Sequence, residues 1–143
     1  MQVQQAMTAH ARVIDPNTNI GEAARQMRQG NIGALPVGEN DRLIGMVTDR
    51  DIAMRAVAED KPSHNTAVRQ VMSEHIYYCF EDDDIADAAN IMAEHQVHRL
   101  PVLNRDKRLV GMLALADIAR CSDGNAVKTA IEGISEPTDQ PRR

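Results

Sequence analysis

The chain has 143 residues, with 16 lysines and arginines against 21 aspartates and glutamates, and a formal net charge of -5. This acidic balance, with two tyrosines, one phenylalanine and no tryptophan, argues against a nucleic-acid partner, because such binding needs a basic surface and stacking rings. No apolar run is long enough to cross a membrane and the two cysteines form no disulfide framework. We therefore expect a cytoplasmic protein without a membrane partner.

The first half of the chain predicts a small mixed α/β unit. After an extended stretch, Asn19 and Glu22 have capping-box spacing at the start of a helix that Gly30 ends. Two apolar strands, at 34–37 and 43–48, follow as a hairpin, and the proline in the first implies an edge or strand-end position. Two helices have apolar stripes that we expect to be buried: Ile20, Ala23, Ala24 and Met27 in the first, and Ile52, Ala53, Ala56 and Val57 in the second.

The second half repeats this order in register. Leu35-Pro36-Val37 recurs as Leu100-Pro101-Val102, and Gly45-Met46 recurs as Gly111-Met112. A duplicated unit of this length predicts two similar domains about a pseudo-twofold axis, each with the order strand, helix, strand, strand, helix. The predicted fold class is mixed α/β (α+β), with these bounds: 2–60, first domain; 61–65, linker; 66–122, second domain; 123–143, a C-terminal helix and a frayed tail.

The most informative local string is Gly45-Met46-Val47-Thr48-Asp49-Arg50-Asp51, which follows a strand and opens a helix. The Thr48 hydroxyl and the Asp51 carboxylate suit the vicinal diol of a ribose, because a carboxylate accepts hydrogen bonds from two hydroxyls at once. Arg50 is a further candidate for nucleotide binding, and the backbone N–H groups of the same helix start favour a nearby phosphate. The alternative is structural, since Thr48 and Asp51 are both strong N-cap residues and capping alone also explains them.

Two longer strings carry a family resemblance. Residues 32–37 before 45–51, and residues 97–102 before 111–117, resemble the two halves of a CBS domain pair, or Bateman module. The resemblance covers residues 2–122 and is strongest to stand-alone pairs of the hypoxic response protein type, at 76–78 and 94–97. It implies tandem CBS domains with two related clefts, in which members of the family bind AMP, ADP, ATP, S-adenosylmethionine or a dinucleotide.

The resemblance also implies roles for individual residues. Asp51 and Thr48 would hold the ribose in the first cleft, and Asp117 is the matching acid of the second copy. Ala114 stands where the first copy has Thr48. This difference favours one good site, built across the seam between the two copies, over two equal sites. The remaining candidates are adenine neighbours at Ile14, Ile32 and Ala34, and phosphate contacts at His98 and Arg99.

We therefore expect a non-enzymatic regulatory module that binds an adenosine-type small molecule between the repeats and signals energy or stress state to an effector protein. No converging nucleophile, base or metal-ligand set stands out, so we predict no catalytic residues, no metal and no required cofactor, with adenine nucleotide as the regulatory ligand. A homodimer is also expected, with the stripe Val127, Ala130, Ile131 and Ile134 as one candidate surface unless it docks on its own domain. The alternative is a ligand-free interaction or stress-response protein with vestigial clefts.

Overall fold

The computed structural model describes residues 1–121 and 124–135, and these fall into two compact units. We call Arg12–Ile76 the Asp51 unit, and Met1–Ala11 with the described residues from Tyr77 onward the Asp117 unit. In chain order the elements are β1 (Thr8–Ala9), α1 (Ile20–Gly30), β2 (Ala34–Glu39), β3 (Arg42–Thr48), α2 (Asp49–Ile52), β4 (Cys79–Phe80), α3 (Ile85–His95), β5 (Arg99–Leu103), β6 (Leu109–Ala114), α4 (Leu115–Arg120) and α5 (Gly124–Ile134). This is the mixed α/β fold that the duplication predicts.

The Asp51 unit is built around the β2–β3 hairpin. Its two strands pair antiparallel from Ala34 opposite Thr48 to Glu39 opposite Arg42. Single-residue bridges extend the hairpin on both sides, with Ile14 beside β2 and Ser73 beside β3. Helix α2 continues beyond Ile52 as a π-helical turn, Ala53–Val57. The aliphatic core of this unit consists of Ile14, Ile20, Ala23, Met27, Leu35, Val37, Val47, Ala56, Val68, Val71 and Met72.

The Asp117 unit repeats this plan with a larger sheet. Its four-stranded sheet has the order β1-β6-β5-β4, with β5 and β6 antiparallel and β4 parallel to β5. Helix α5 packs against α3 and α4 within the same unit. The contact is close, because a Cβ atom added at Gly133 would overlap the Cβ of Ala93. The C-terminal stripe therefore docks on its own unit, with Ala130 and Ile134 buried and Ile131 47% exposed.

The compact units do not coincide with the sequence repeats, because the leading segments are exchanged. Residues 8–9 of the first repeat pair with β6, and Ser73 of the second repeat pairs with Met46 in β3. A glycine makes room for each segment: an added Cβ at Gly111 would lie 2.6 Å from the Thr8 carbonyl oxygen, and one at Gly45 would lie 2.8 Å from that of Ser73. The predicted bounds 2–60, 61–65 and 66–122 delimit the two sequence repeats and their linker, and they remain predictions. They do not delimit the two compact units.

The ends of α1 lie where the sequence predicts them, whereas the predicted buried faces of the helices agree with the structure only in part. Asn19 caps α1 by accepting the Glu22 N–H at 2.8 Å, and Asn31, just after Gly30, ends that helix in the left-handed conformation with φ 51°. The predicted stripes were wrong at three positions, since Ala24, Ala53 and Val57 are exposed. The matching Ala89 of α3 is buried, in the unit where α5 covers that helix.

The edge position predicted for Pro36 is confirmed, because β2 is an edge strand of the two-stranded sheet β2-β3. The matching Pro101 of the second copy differs. Strand β5 has neighbours on both sides, and Pro101 lies inside it. The ladder with β4 involves only Val102 and Leu103, so the missing N–H of Pro101 falls outside that ladder. On the other side of β2 there is only the single-residue bridge of Ile14, whose N–H donates to the Pro36 carbonyl oxygen at 3.0 Å.

Candidate functional site

Thr48 and Asp51 meet where β3 ends and α2 begins. The Thr48 side-chain oxygen accepts the Asp51 N–H at 3.0 Å, and Oδ2 of Asp51 accepts the Thr48 N–H at 3.0 Å. The pair is thus a reciprocal capping box that satisfies two backbone donors of the helix start. Asp51 is buried, and Thr48 is half-buried. The capping role that the sequence offered as the alternative is therefore present.

The predicted adenine neighbours belong to the same unit but differ in exposure. Ala34 is the direct cross-strand partner of Thr48, so their side chains share one face of the hairpin. Ile14 is 2% exposed and belongs to the core, whereas Ile32 only packs partly against it. Arg50 is exposed on the first turn of α2. Ala34, which is half-buried and shares a face with Thr48, is therefore better placed than Ile14 to meet a base.

An arginine that the sequence analysis did not single out completes the local arrangement. Arg55 lies one turn after Asp51, and its Nη1 is 3.8 Å from Oδ1 of that carboxylate. The same nitrogen donates to the carbonyl oxygens of Val71 at 3.0 Å and Met72 at 3.2 Å. Its spacing of four residues from Asp51 on a predicted helix was the available signal.

The Asp117 unit has the same backbone geometry with different side chains. Oδ2 of Asp117 accepts the Ala114 N–H at 2.8 Å, but Ala114 provides no side-chain cap. The other carboxylate oxygen pairs with Arg120, three residues later. Arg99 stands opposite Ala114, as Ala34 stands opposite Thr48, and exposed His98 precedes it.

The structure therefore sorts the predicted residues into two sets. The first is in the Asp51 unit and combines a hydroxyl, a carboxylate and a small residue across the hairpin. The second is in the Asp117 unit and combines a carboxylate with basic residues, without the hydroxyl. The residues are Ile14, Ile32, Ala34, Thr48, Arg50 and Asp51 in the first set, and His98, Arg99 and Asp117 in the second.

Other chemistry finds little support in the described residues. Within residues 1–121 and 124–135, no three His, Cys, Asp or Glu side chains are grouped as a metal site would require. Cys79 is buried, and this burial, with a smaller contribution from the charge of Asp83, raises its pKa to about 12. A thiol held protonated in this way is a poor nucleophile. None of the helices in the described part of the chain is long and apolar enough to span a bilayer.

Comparison with known proteins identifies the family. The model of the CBS domain matches residues 3–57 and again residues 68–124. The chain therefore belongs to the CBS domain family and carries the domain in tandem, as a regulatory CBS pair. The CBS domain-containing protein YhcV of Bacillus subtilis is 42% identical over 117 residues, which cover 82% of each chain. Hypoxic response protein 1 of Mycobacterium tuberculosis is 36% identical over 132 residues, which cover 92% of each chain, so the predicted resemblance is confirmed.

Solved structures agree with this family and carry different ligands. Hypoxic Response Protein I, solved with two coordinated zinc ions, is 37% identical, with a TM-score of 0.77 over 84% of this chain and 98% of that one. A CBS domain pair in complex with 5′-methylthioadenosine and S-adenosyl-L-methionine is 26% identical, with a TM-score of 0.76 over 87% and 98%. CBSX2 in complex with AMP is 25% identical, with a TM-score of 0.74 over 85% and 95%.

Proposed function

We propose that this chain is a non-enzymatic regulatory module that binds an adenosine-containing nucleotide at Thr48 and Asp51. The observation that carries the proposal is the capping box, which brings a hydroxyl and a carboxylate together at the end of β3. Ala34, directly opposite Thr48, places a small side chain on the same face of the hairpin. The related CBS pairs in complex with AMP, and with 5′-methylthioadenosine and S-adenosyl-L-methionine, support an adenosine compound as the ligand.

The capping role and the ligand role are chemically compatible. The Thr48 oxygen accepts one hydrogen bond in the capping box, and a hydroxyl also has a donor proton and a second lone pair. A carboxylate has about four acceptor positions, so the contacts of Asp51 with the Thr48 N–H and with Arg55 are compatible with a further hydrogen bond from a diol. A ribose diol can therefore add to the capping box without breaking it. In the Asp117 unit, exposed His98 and half-buried Arg99 are the proposed phosphate contacts, since a guanidinium matches phosphate oxygens with a planar fork.

Regulation follows if the ligand prefers one conformation of the module. A nucleotide shifts a conformational equilibrium only by its difference in affinity for the two states, and a partner protein then reads the population. We propose an effector protein as that partner and energy or stress state as the signal. Measuring nucleotide affinity with and without a candidate effector tests this, because linkage requires each ligand to change the affinity of the other.

We also propose that the module forms a homodimer. Met54 is 56% exposed and Val57 is 68% exposed, and both lie on the helical segment that follows Asp51. Burying these apolar side chains against a second copy would favour association. Native mass spectrometry should give the mass of a dimer, and replacing both residues with glutamate should give the monomer. A monomeric wild-type protein at micromolar concentration would contradict this part of the proposal.

The second candidate function is a CBS pair that acts through protein contacts without a ligand. It is favoured by the same capping box, which explains Thr48 and Asp51 structurally, and by Ala114, which removes the hydroxyl from the second copy. The two candidates differ in one measurable respect. A ligand-binding module gains thermal stability from its nucleotide, and a ligand-free module does not.

A thermal-shift screen with AMP, ATP, NAD and S-adenosylmethionine separates them. A nucleotide present at about 100 times its Kd should stabilise the protein by about 2.7 kcal/mol. The Asp51→Asn variant should lose this stabilisation, while retaining an oxygen that can accept the Thr48 N–H. Asp84→Asn is the matched control, because Asp84 also caps a helix, accepting the Ala86 N–H at 2.8 Å, and is not a predicted nucleotide contact. No shift with any of the four compounds at millimolar concentration would favour the ligand-free module.

A further inference from the structure

Arg55 occupies an unusual stretch of helix. It lies within the π-helical turn Ala53–Val57, in which the N–H of Ala58 bonds to the carbonyl oxygen of Ala53 at 2.9 Å, five residues earlier. Such turns are rare and often occur at functional sites. The turn begins two residues after Asp51, so the wider helix is immediately adjacent to the candidate ribose site.

The guanidinium of Arg55 is fixed at its far end. Its Nη1 donates to the carbonyl oxygens of Val71 and Met72, at 3.0 and 3.2 Å, and lies 3.8 Å from Oδ1 of Asp51. The Arg55 side chain is 34% exposed and that of Asp51 is 6% exposed, so the charges are not simply a solvated surface pair. Two backbone carbonyls thus hold the cation in position beside the carboxylate.

Both oxygens of the Asp51 carboxylate are thereby constrained. Oδ2 accepts the Thr48 N–H, and Oδ1 faces Arg55, so rotation about the side-chain bonds would disrupt one of these contacts. A carboxylate that is oriented before a diol arrives loses less conformational entropy on binding than a mobile one. Orientation of this kind is what supporting contacts contribute to a binding site.

The aspartate of the other unit also pairs with an arginine, but that arginine comes from a different position of the repeat and is 69% exposed. Asp117 accepts the Ala114 N–H with one oxygen and pairs with Arg120 through the other. Arg120 follows its aspartate by three residues, whereas Arg55 follows by four. Each of the two aspartates thus has an arginine beside it, and Arg55 is in addition held by backbone carbonyl oxygens.

We propose that Arg55 is a positioning residue that orients the Asp51 carboxylate toward a ribose diol and so sets the preference of this site for ribonucleotides. This inference rests on the proposed function. Arg55 acts through Asp51 rather than by touching the ligand. The expected signature is a change in discrimination between a diol-bearing nucleotide and its analogue without the diol, rather than a uniform loss of affinity.

The test uses isothermal titration of the full chain with AMP and with 2′,3′-dideoxyadenosine monophosphate. Arg55→Met should weaken AMP binding about tenfold, the size of one hydrogen bond to a charged group, and leave the dideoxy compound unchanged. Arg55→Lys, which retains the charge, should recover part of the discrimination. Arg69→Met is the matched control, because Arg69 lies two residues before Val71 and its guanidinium pairs with Glu39 at 2.7 Å. An AMP preference that Arg55→Met leaves unchanged would overturn the inference.

A second readout separates this inference from the proposed function. Hydrogen exchange at the Thr48 amide reports its bond to Asp51 whether or not a nucleotide binds. Exchange should be faster in Arg55→Met than in Arg69→Met, and equal rates would overturn the positioning role. A wild-type protein that binds neither nucleotide, with faster Thr48 exchange in Arg55→Met, would instead reject the proposed function and leave Arg55 as a support of the carboxylate.

Discussion

The two units offer a reciprocal substitution at the helix N-cap. Thr48, with φ −119° and ψ 162°, caps α2 through its hydroxyl oxygen. Ala114, with φ −105° and ψ 157°, has nearly the same backbone conformation before α4 but no capping side chain. Replacing Ala114 with threonine should therefore create the cap that the second unit lacks. Replacing Thr48 with alanine should remove the cap that the first unit has.

The magnitude follows from the single hydrogen bond involved. Exchanging threonine and alanine at an N-cap changes stability by about 1 kcal/mol. Thr48→Ala should therefore lower the free energy of unfolding by about 1 kcal/mol, and Ala114→Thr should raise it by a similar amount. In a protein of this size, each change corresponds to a shift in Tm of about 2–4 °C, in opposite directions.

Urea unfolding measures the two changes, and hydrogen exchange assigns each to its unit. The Asp117 amide should exchange more slowly in Ala114→Thr, and the Asp51 amide more rapidly in Thr48→Ala. The double variant should return close to wild-type stability, because distant sites contribute additively. An Ala114→Thr variant that is less stable than wild type, with unchanged exchange at Asp117, would refute the claim that the two helix starts are geometrically equivalent.

Three further predictions address packing, thiol chemistry and acid stability. Gly133→Ala should destabilise the protein by about 1–3 kcal/mol, because the added methyl group overpacks the contact with α3. Urea unfolding measures this change. Gly124→Ala is the control and should leave stability unchanged, since no atom of the described residues lies within 4 Å of its added Cβ. Cys79, whose pKa burial raises to about 12, should stay unreactive toward a disulfide reagent at mildly alkaline pH until unfolding, and early modification of both cysteines would contradict this. The hydrogen bond from Arg105 lowers the pKa of Asp82 below the ordinary carboxyl value of 3.8. The pair should therefore stabilise the folded protein fully above pH 3.8, and this contribution should disappear as the pH falls through the lowered pKa. The difference in unfolding midpoint between Arg105→Met and wild type should therefore be smaller in strong acid than at neutral pH. A difference that stays constant with pH would contradict this prediction.

Local sequence signals were sufficient for the hairpins and the helix starts. Apolar runs separated by polar turns predicted β2–β3 and β5–β6, because both strands of a hairpin are close in sequence. The spacing of Asn19 before an apolar stripe predicted the cap of α1. The Thr48–Asp51 spacing predicted that the two side chains meet, since residues three apart at a helix start lie within hydrogen-bond reach.

Long-range pairing was beyond those signals. The strand at Thr8–Ala9 pairs with β6, about a hundred residues later, and no local pattern specifies such a partner. Ala24 has the same helical spacing as Ala89, yet only Ala89 is buried, and its helix α3 packs against α5. Arg55 was missed for a related reason, because its carbonyl partners lie on a segment that reaches it only through the tertiary fold.

The most direct test of the proposed site is a nuclear magnetic resonance titration of the isotope-labelled chain with AMP. Saturable shifts of the Ala34, Thr48 and Asp51 amides are expected, because these residues surround the position proposed for the ribose. The same titration of Asp51→Asn should leave them unmoved. If the amides of the wild-type protein stay in place at millimolar AMP, then Thr48 and Asp51 serve only to cap a helix, and the proposed nucleotide site does not exist.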